Sequence, residues 1–313
     1  MKRLYYLLRQ IFGINALHIL LSKQCKPFVL CYHEVNEEEL YRQLSALKKI
    51  FEIKNINQLQ PNDYGACAIT LDDCLNRDAE IFYRVAESLS LPVTFYLPVN
   101  YCVEEKPLPG DLIKWMIQVC PKIFFNGMEW QIETPKEKLI AKNKLSAYFY
   151  EEVKKGKDIS QLMLQVFQKN NIPETEIPDE IKVMGPARVG EMSKSEFVKF
   201  ESHSMSHSAF VNLSDEDLSR ELEDSAKWIE QVTHKRVTSI CYPFGSVELT
   251  GEKVYELAKS FYDNGVTLLQ DVWTNSNRFE IPRIGIYPGD KNHGMWSKIF
   301  HYQGRNIIKG IVN

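Results

Sequence analysis

CAITLDDCLNRDAEIF, residues 67–82, is the stretch on which the reading of this chain turns. It opens as an apolar, strand-like run and meets two adjacent acids, Asp72 and Asp73. Side chains alternate faces along a strand, so one of two neighbouring aspartates would be driven into apolar surroundings. An unpaired carboxylate there is costly or neutralises itself. If the strand ends at Asp72, both acids instead sit on its lip, where the backbone is free to splay them. A helix is expected from about Asp78 to Leu89.

The same rhythm extends outward. PFVLCYHEV (27–35) reads as a buried strand, EEELYRQLSALKKI (37–50) as an amphipathic helix and PVTFYLPV (92–99) as the next strand. Strands alternating with helices imply parallel pairing and right-handed crossovers. The alternation breaks near Val103 and resumes near Met192. Residues 105–190 contain Pro107, Pro109, Gly110, the run LIKWMIQV and long charged runs, and read as a mainly helical insertion above the domain. Its charges are expected to be solvated faces. Trp115 and Trp130 could offer flat faces to a ligand, although aromatics in helical runs are usually core. Beyond it, KFESHSMSH is a strand entering a loop, and Ser214 caps a helix with acids in its first turn. VTSICYPFG is a strand and turn. GEKVYELAKSFYDNG is a helix stopped by Asn264-Gly265, and VTLLQDV and IPRIGIY are the last strands.

A length of 313 residues suits one large α/β domain with an insertion, or two modest domains. The 44% hydrophobic and 25% charged content suffices for a full core, and a net charge of −3 argues against a nucleic-acid binder held by bulk positive charge. The 7 cysteines include no CxxC pair, which fits reduced thiols in a cytoplasm better than a disulfide frame. The basic start, MKRLYYLLRQIFGINALHILLSK (1–23), lacks a clear signal-peptide core and is interrupted by Arg9, Gln10 and Asn15. It reads as an interfacial amphipathic helix or a first helix docked on the domain.

Four stretches fall at carboxyl ends of proposed strands, the edge where α/β folds assemble sites: Cys31-Tyr32-His33, Asp72-Asp73, His203 to His207, and Tyr242-Pro243-Phe244-Gly245. The two histidines of HSMSH, four apart, would share one face of a helical turn and could reach one metal ion. One aspartate can complete a two-histidine, one-carboxylate site while the other stays off the metal and holds a proton. Those ligands suit zinc, with cobalt or nickel as alternatives.

On these residues the chain resembles the polysaccharide deacetylases with the NodB-type homology domain, in the branch with an early YH motif and a YPFG motif. ITLDDC resembles the first motif of that family, SHSMSH the second and CYPFG the third, while CYHEV matches the YH motif and IPRIGI fits near the end. The resemblance covers roughly residues 27–104 and 191–290. It implies a distorted (β/α) barrel with fewer or irregular strands, with 27–104 and 191–313 as the barrel, 105–190 as insertion and 1–26 as a basic amphipathic segment. It also implies roles: Asp72 as catalytic base, Asp73, His203 and His207 as ligands of a divalent metal, and the Phe244 amide at the oxyanion. The resemblance makes His33 the candidate general acid, against a satisfied histidine on a buried strand, with His293 in reserve; His18, His234 and His301 have no motif support. Two motif positions differ, with Cys74 for a glycine and Cys241 for an arginine. Arg283 could steady Asp72 in that arginine's stead, and Cys74 could offer a thiolate to zinc or stay a buried thiol.

The expected activity is removal of an N-acetyl group from an amino sugar, releasing acetate. The substrate would be a cell-surface glycan or its lipid- or nucleotide-linked precursor, met in the cytoplasm or at the inner membrane face through residues 1–23. The rivals are a binding or regulatory protein on the same scaffold, and a deacylase of a non-sugar amide.

Overall fold

A computed structural model describes residues 24–312, so the readings of residues 1–23 and His18 lie outside the described residues. Apolar runs form a parallel ladder: β1 (Phe28–Tyr32), β3 (Ala66–Leu71), β4 (Val93–Leu97), β7 (Val198–Ser202), β8 (Ser239–Cys241) and β9 (Asn264–Val266) neighbour one another in that order. β2 (Glu52–Ile53) pairs beside β3, and β10 (Ile284–Gly285) pairs with the free side of β1. The sheet curls until its two edges share one segment. Ile281 bridges Val266 at one edge, and Ile284 meets Leu30 at the other. This is the distorted barrel that the resemblance implied.

Because the strands are in register, their carboxyl ends are level. Tyr32 pairs with Leu71, Leu97 with Ser202, and Ser202 with Ile240. The residues that follow, His33, Asp72, His203 and Tyr242, therefore emerge at one rim. Alternation divides the core. Phe28, Leu30, Ile69, Phe95 and Phe200 face the helices, while Val29, Ala68, Tyr96, Cys241, Val266 and Ile281 turn inward around Trp273.

The helices begin where their caps specify. Asn36 accepts from the Glu39 amide ahead of α1 (Glu37–Lys48), and α2 (Asn76–Leu89) follows β3 directly. Between β4 and β7 come α3 (Val99–Glu104), α4 (Pro109–Val119), a hairpin of β5 (Lys122–Phe125) and β6 (Met128–Gln131), α5 (Pro135–Lys154), α6 (Ile159–Lys169) and α7 (Pro186–Met192). The part from Leu112 to Phe167 has its own apolar cluster, built on Leu112, Met116, Ile123, Leu145 and Phe167. Trp115 and Trp130 pack against that cluster, Trp130 stacked on Phe125 at 5.4 Å. The hairpin was not expected; its Asn126-Gly127 turn, with φ of 49° and 74°, carries the dipeptide that specifies such a turn.

After β7 come α8 (Asp215–Thr233), capped by Ser214, then α9 (Val247–Thr250), α10 (Glu252–Ala258) and, after β10, α11 (Asn292–Val312). Two expectations fail here. The helix expected up to Asn264-Gly265 ends at Ala258, and Asn264 to Val266 is strand β9, paired in parallel with β8 on one side while Gly265 bonds Arg278 and Ile281 on the other. The VTLLQDV strand is consequently mostly loop. Among the described residues all seven cysteines are free thiols, and no helix is long and apolar enough to cross a membrane.

Candidate active site

β3 ends at Leu71 and the backbone then takes left-handed φ angles, 65° at Asp73 and 51° at Cys74. The turn throws the two acids to different places. Asp72 points into the barrel mouth, where Arg283 grips it with two parallel bonds, Nη1 to Oδ1 and Nη2 to Oδ2, both 2.7 Å. Arg283 is itself fixed by donating to the Thr267 carbonyl at 2.9 Å and to Thr70 Oγ1 at 3.1 Å, and its plane lies over the Tyr96 ring. Burial alone would raise the Asp72 pKa; the guanidinium outweighs it and holds the carboxyl well below the ordinary carboxylate range. Cys241 Sγ donates to Asp72 Oδ2 at 3.4 Å and Cys31 Sγ at 3.5 Å, both thiols pushed up by burial and so protonated. Cys241 leaves room for the guanidinium that Arg283 supplies.

Asp73 turns to the histidines. His203 and His207 do not share a helical turn as expected; residues 203–207 are an irregular loop with Ser204 and His207 at φ 68° and 54°. The convergence is nonetheless made, by the loop. Nε2 of His203 lies 3.4 Å and Nε2 of His207 3.6 Å from Asp73 Oδ1. The Nδ1 of His203 faces the Cys241 carbonyl at 2.8 Å, an acceptor only, which turns Nε2 toward Asp73. Burial and the neighbouring His203 push His207 down to about 4, leaving a neutral imidazole with a lone pair. His203 moves up: burial would lower it, but the Asp73 carboxylate bonded to it outweighs that.

These three residues fit a divalent cation. Their ligand atoms all lie within 4.8 Å of one another, and Asp73 Oδ1 is buried without a hydrogen-bond partner, an orphan acceptor facing two nitrogens. Cys74 belongs to no such cluster. Its thiol donates to the Tyr96 carbonyl at 3.3 Å and burial raises its pKa, so it is a buried structural thiol and not the zinc ligand that was weighed.

His33 stands at the mouth, its Nε2 3.7 Å from Asp72 Oδ2. Phe244 has φ 61°, and among the described residues its N–H donates to no protein acceptor. The Phe244 ring packs on His207 at 5.1 Å. Asp73, Cys74, Ser204, His207 and Phe244 are half of the ten described non-glycine residues with positive φ. Strained backbone concentrated in this way marks functional sites. Of the other histidines, His293 and His301 lie exposed on α11, and His234 is the exposed cap of α8; none borders the site.

His33, Asp72, Asp73, His203, His207 and Phe244 line one cavity of about 300 Å³. Its opposite wall was not foreseen. Leu108 to Asp111, Lys114, Ser160 and Met163, from α4, α6 and the approach to α4, close it from above. A larger cleft of about 560 Å³ on the other side of α6 contains no candidate residue.

The sequence model described as Polysaccharide deacetylase matches residues 142–261, a span that carries His203, His207 and Phe244. The fold adds the missing half by setting Asp72 and Asp73 against that span. Over that span the chain is similar to the polysaccharide deacetylases, and its fold is that of solved members of the family. Similar solved structures include a polysaccharide deacetylase from Bacillus cereus, at 15% identity over 88% of this chain and 69% of that one, TM-score 0.56. The Streptococcus pyogenes deacetylase PplD in complex with acetate covers 88% of this chain and 98% of its own at 12% identity, TM-score 0.55. IcaB from Ammonifex degensii gives 12% identity, 88% and 97% coverage and TM-score 0.51. No curated protein matches the sequence. The family match begins inside the segment expected as an insertion, so residues 142–190 of that segment fall within the matched span.

Proposed function

We propose that this protein is a metal-dependent hydrolase of the polysaccharide deacetylase type, which removes the N-acetyl group of an amino sugar in a cell-surface glycan, or in its lipid- or nucleotide-linked precursor. One observation carries the reading: two adjacent carboxylates in a single cavity have opposite partners, Asp72 an arginine and Asp73 two imidazoles. Environments that separate paired acids assign them separate tasks.

Asp73, His203 and His207 would hold the cation, zinc or alternatively cobalt or nickel, which when bound supplies Lewis acidity, polarising an amide carbonyl and acidifying water enough for a weak base such as Asp72. Asp72, kept ionised by Arg283, accepts the proton of the attacking water. The water oxygen bonds to the acetyl carbon, and the Phe244 N–H donates to the oxygen that becomes negative. His33 delivers a proton to the sugar nitrogen as the carbon–nitrogen bond breaks. Acetate and a free amino sugar result, and the atoms balance.

The test is acetate release from acetylated glucosamine oligomers by the purified protein, before and after chelation and with zinc, cobalt or nickel restored. Release that needs an added divalent ion supports the reading. Bound metal with no release from any acetylated glycan would favour a binding role, and release from simple amides alone a non-sugar substrate.

A further inference from the structure

Asp111 is the one acid of the cavity wall that the deacetylase chemistry leaves without a task. It sits in the first turn of α4, is only 6% exposed and lines the cavity opposite Asp72 and Asp73. Its Oδ1 accepts from Lys114 Nζ at 2.8 Å, and the same ammonium reaches Glu34, the neighbour of His33, at 3.2 Å. Among the described residues no donor reaches Oδ2. The compensation is incomplete: Lys114 is half exposed and shared between two acids, and burial pushes Asp111 up to about 6. An acid favouring a helix dipole does so equally well in solvent. Its second oxygen opens on the cavity without a protein donor, which leaves it available to a donor supplied by a ligand.

We propose that Asp111 is the specificity-determining residue of the pocket, its free oxygen accepting hydroxyl hydrogens from the ring of a single acetamido sugar while Lys114 holds the carboxylate in place. This rests on the deacetylase reading above. Hydroxyl donors suit a carboxylate acceptor, and such charge-assisted bonds are the strong ones. A cavity of about 300 Å³ is at the small end for ligand sites, in keeping with one sugar unit rather than a threaded polymer. No side chain of the wall from α4 and α6 belongs to the metal triad or the base, so it is free to set selectivity.

The experiment compares wild type, Asp111→Asn and Asp111→Ala on the trimer of N-acetylglucosamine. Affinity for the trimer is also measured by calorimetry in an Asp72→Asn background, where no turnover is needed. Metal content and thermal midpoint report folding. The expected result is a rise in KM and a matching loss of affinity, about tenfold for Asp111→Asn and up to about 100-fold for Asp111→Ala, with kcat changed far less and metal content unchanged. Unaltered affinity in both variants overturns the proposal, as does a loss confined to kcat or to metal content. So does failure of the Asp72→Asn protein to bind the trimer at all. If that protein binds the trimer in an Asp111-dependent way but wild type releases no acetate, the hydrolase reading falls and the recognition role of Asp111 stands.

Discussion

Replacing Arg283 with alanine removes a cation that is fully buried and leaves the Asp72 carboxylate, 2% exposed, without its partner. Breaking a buried pair from one side costs about 3–5 kcal/mol, because an uncompensated charge remains. Against the roughly 5–15 kcal/mol of a typical domain this is a large fraction. The pH dependence follows from the depressed pKa of Asp72. In the wild type the stabilisation is present above the unfolded carboxylate value of about 4 and fades only as pH falls through the much lower native value. In Arg283→Ala burial is opposed mainly by His33 and His203 and the Asp72 pKa rises, so the variant is penalised most at neutral pH and recovers part of the deficit on acidification. Denaturant unfolding at pH 7 and pH 5 should therefore show a gap from wild type that narrows at the lower pH. Adding Asp72→Asn to Arg283→Ala should restore part of the loss, since the orphaned charge is gone. The acid limb of kcat/KM for acetate release should move to higher pH in Arg283→Ala, as a base must be deprotonated to act. A stability loss under about 1 kcal/mol, constant across that range, would refute the argument.

Three further outcomes are expected. Alanine at Asp73, His203 or His207 should each lower bound divalent metal by about tenfold or more in affinity, read by plasma emission after dialysis, whereas Asp72→Asn should keep its metal. His33→Ala should keep metal and fold but lose about 100-fold or more in kcat for acetate release. Gly245→Ala should be disruptive, because a Cβ there would lie 2.5 Å from Leu268 Cγ and 2.7 Å from its backbone nitrogen at a φ of 58°. Phe244→Ala beside it should retain most activity, as the proposed donor is a backbone N–H; equal losses for the two would place the effect elsewhere.

The strands and the site histidines could be read in the sequence because their determinants are local. An apolar run ending in two acids states where a buried strand stops, and β1, β3, β4 and β7 follow from such runs. What could not be read depends on neighbours distant in the chain. Nothing in GEKVYELAKSFYDNG says that β8 will offer a ladder for Asn264 to Val266, so a pair of residues that normally stops a helix was taken as a stop and not as a strand. The HSMSH spacing suggested a helical turn, yet the imidazoles meet through left-handed backbone at Ser204 and His207. Asp111 escaped notice because one aspartate beside Pro109 and Gly110 has the pattern of a helix start, and only the docking of α4 over the rim buries it. The Asn126-Gly127 hairpin, by contrast, was written locally and was overlooked beneath the surrounding charge.

The backbone between Leu71 and Asn76 explains how adjacent acids come to do different work. Had the strand continued, Asp72 and Asp73 would have faced opposite sides of the sheet, one inside the barrel and one against the helices. The left-handed φ of Asp73 ends the ladder, and the Cys74 amide turns back to the Asp72 carbonyl at 2.8 Å. Asp73 is thereby swung up toward the 203–207 loop while Asp72 keeps the inward direction a strand residue would have. Inward, among the described residues, the one guanidinium within bonding distance is Arg283, delivered by the strand segment that closes the barrel. Barrel closure and pairing of the Asp72 charge are thus one structural event: a chain that failed to bring Ile284 beside Leu30 would leave Asp72 both buried and without its guanidinium.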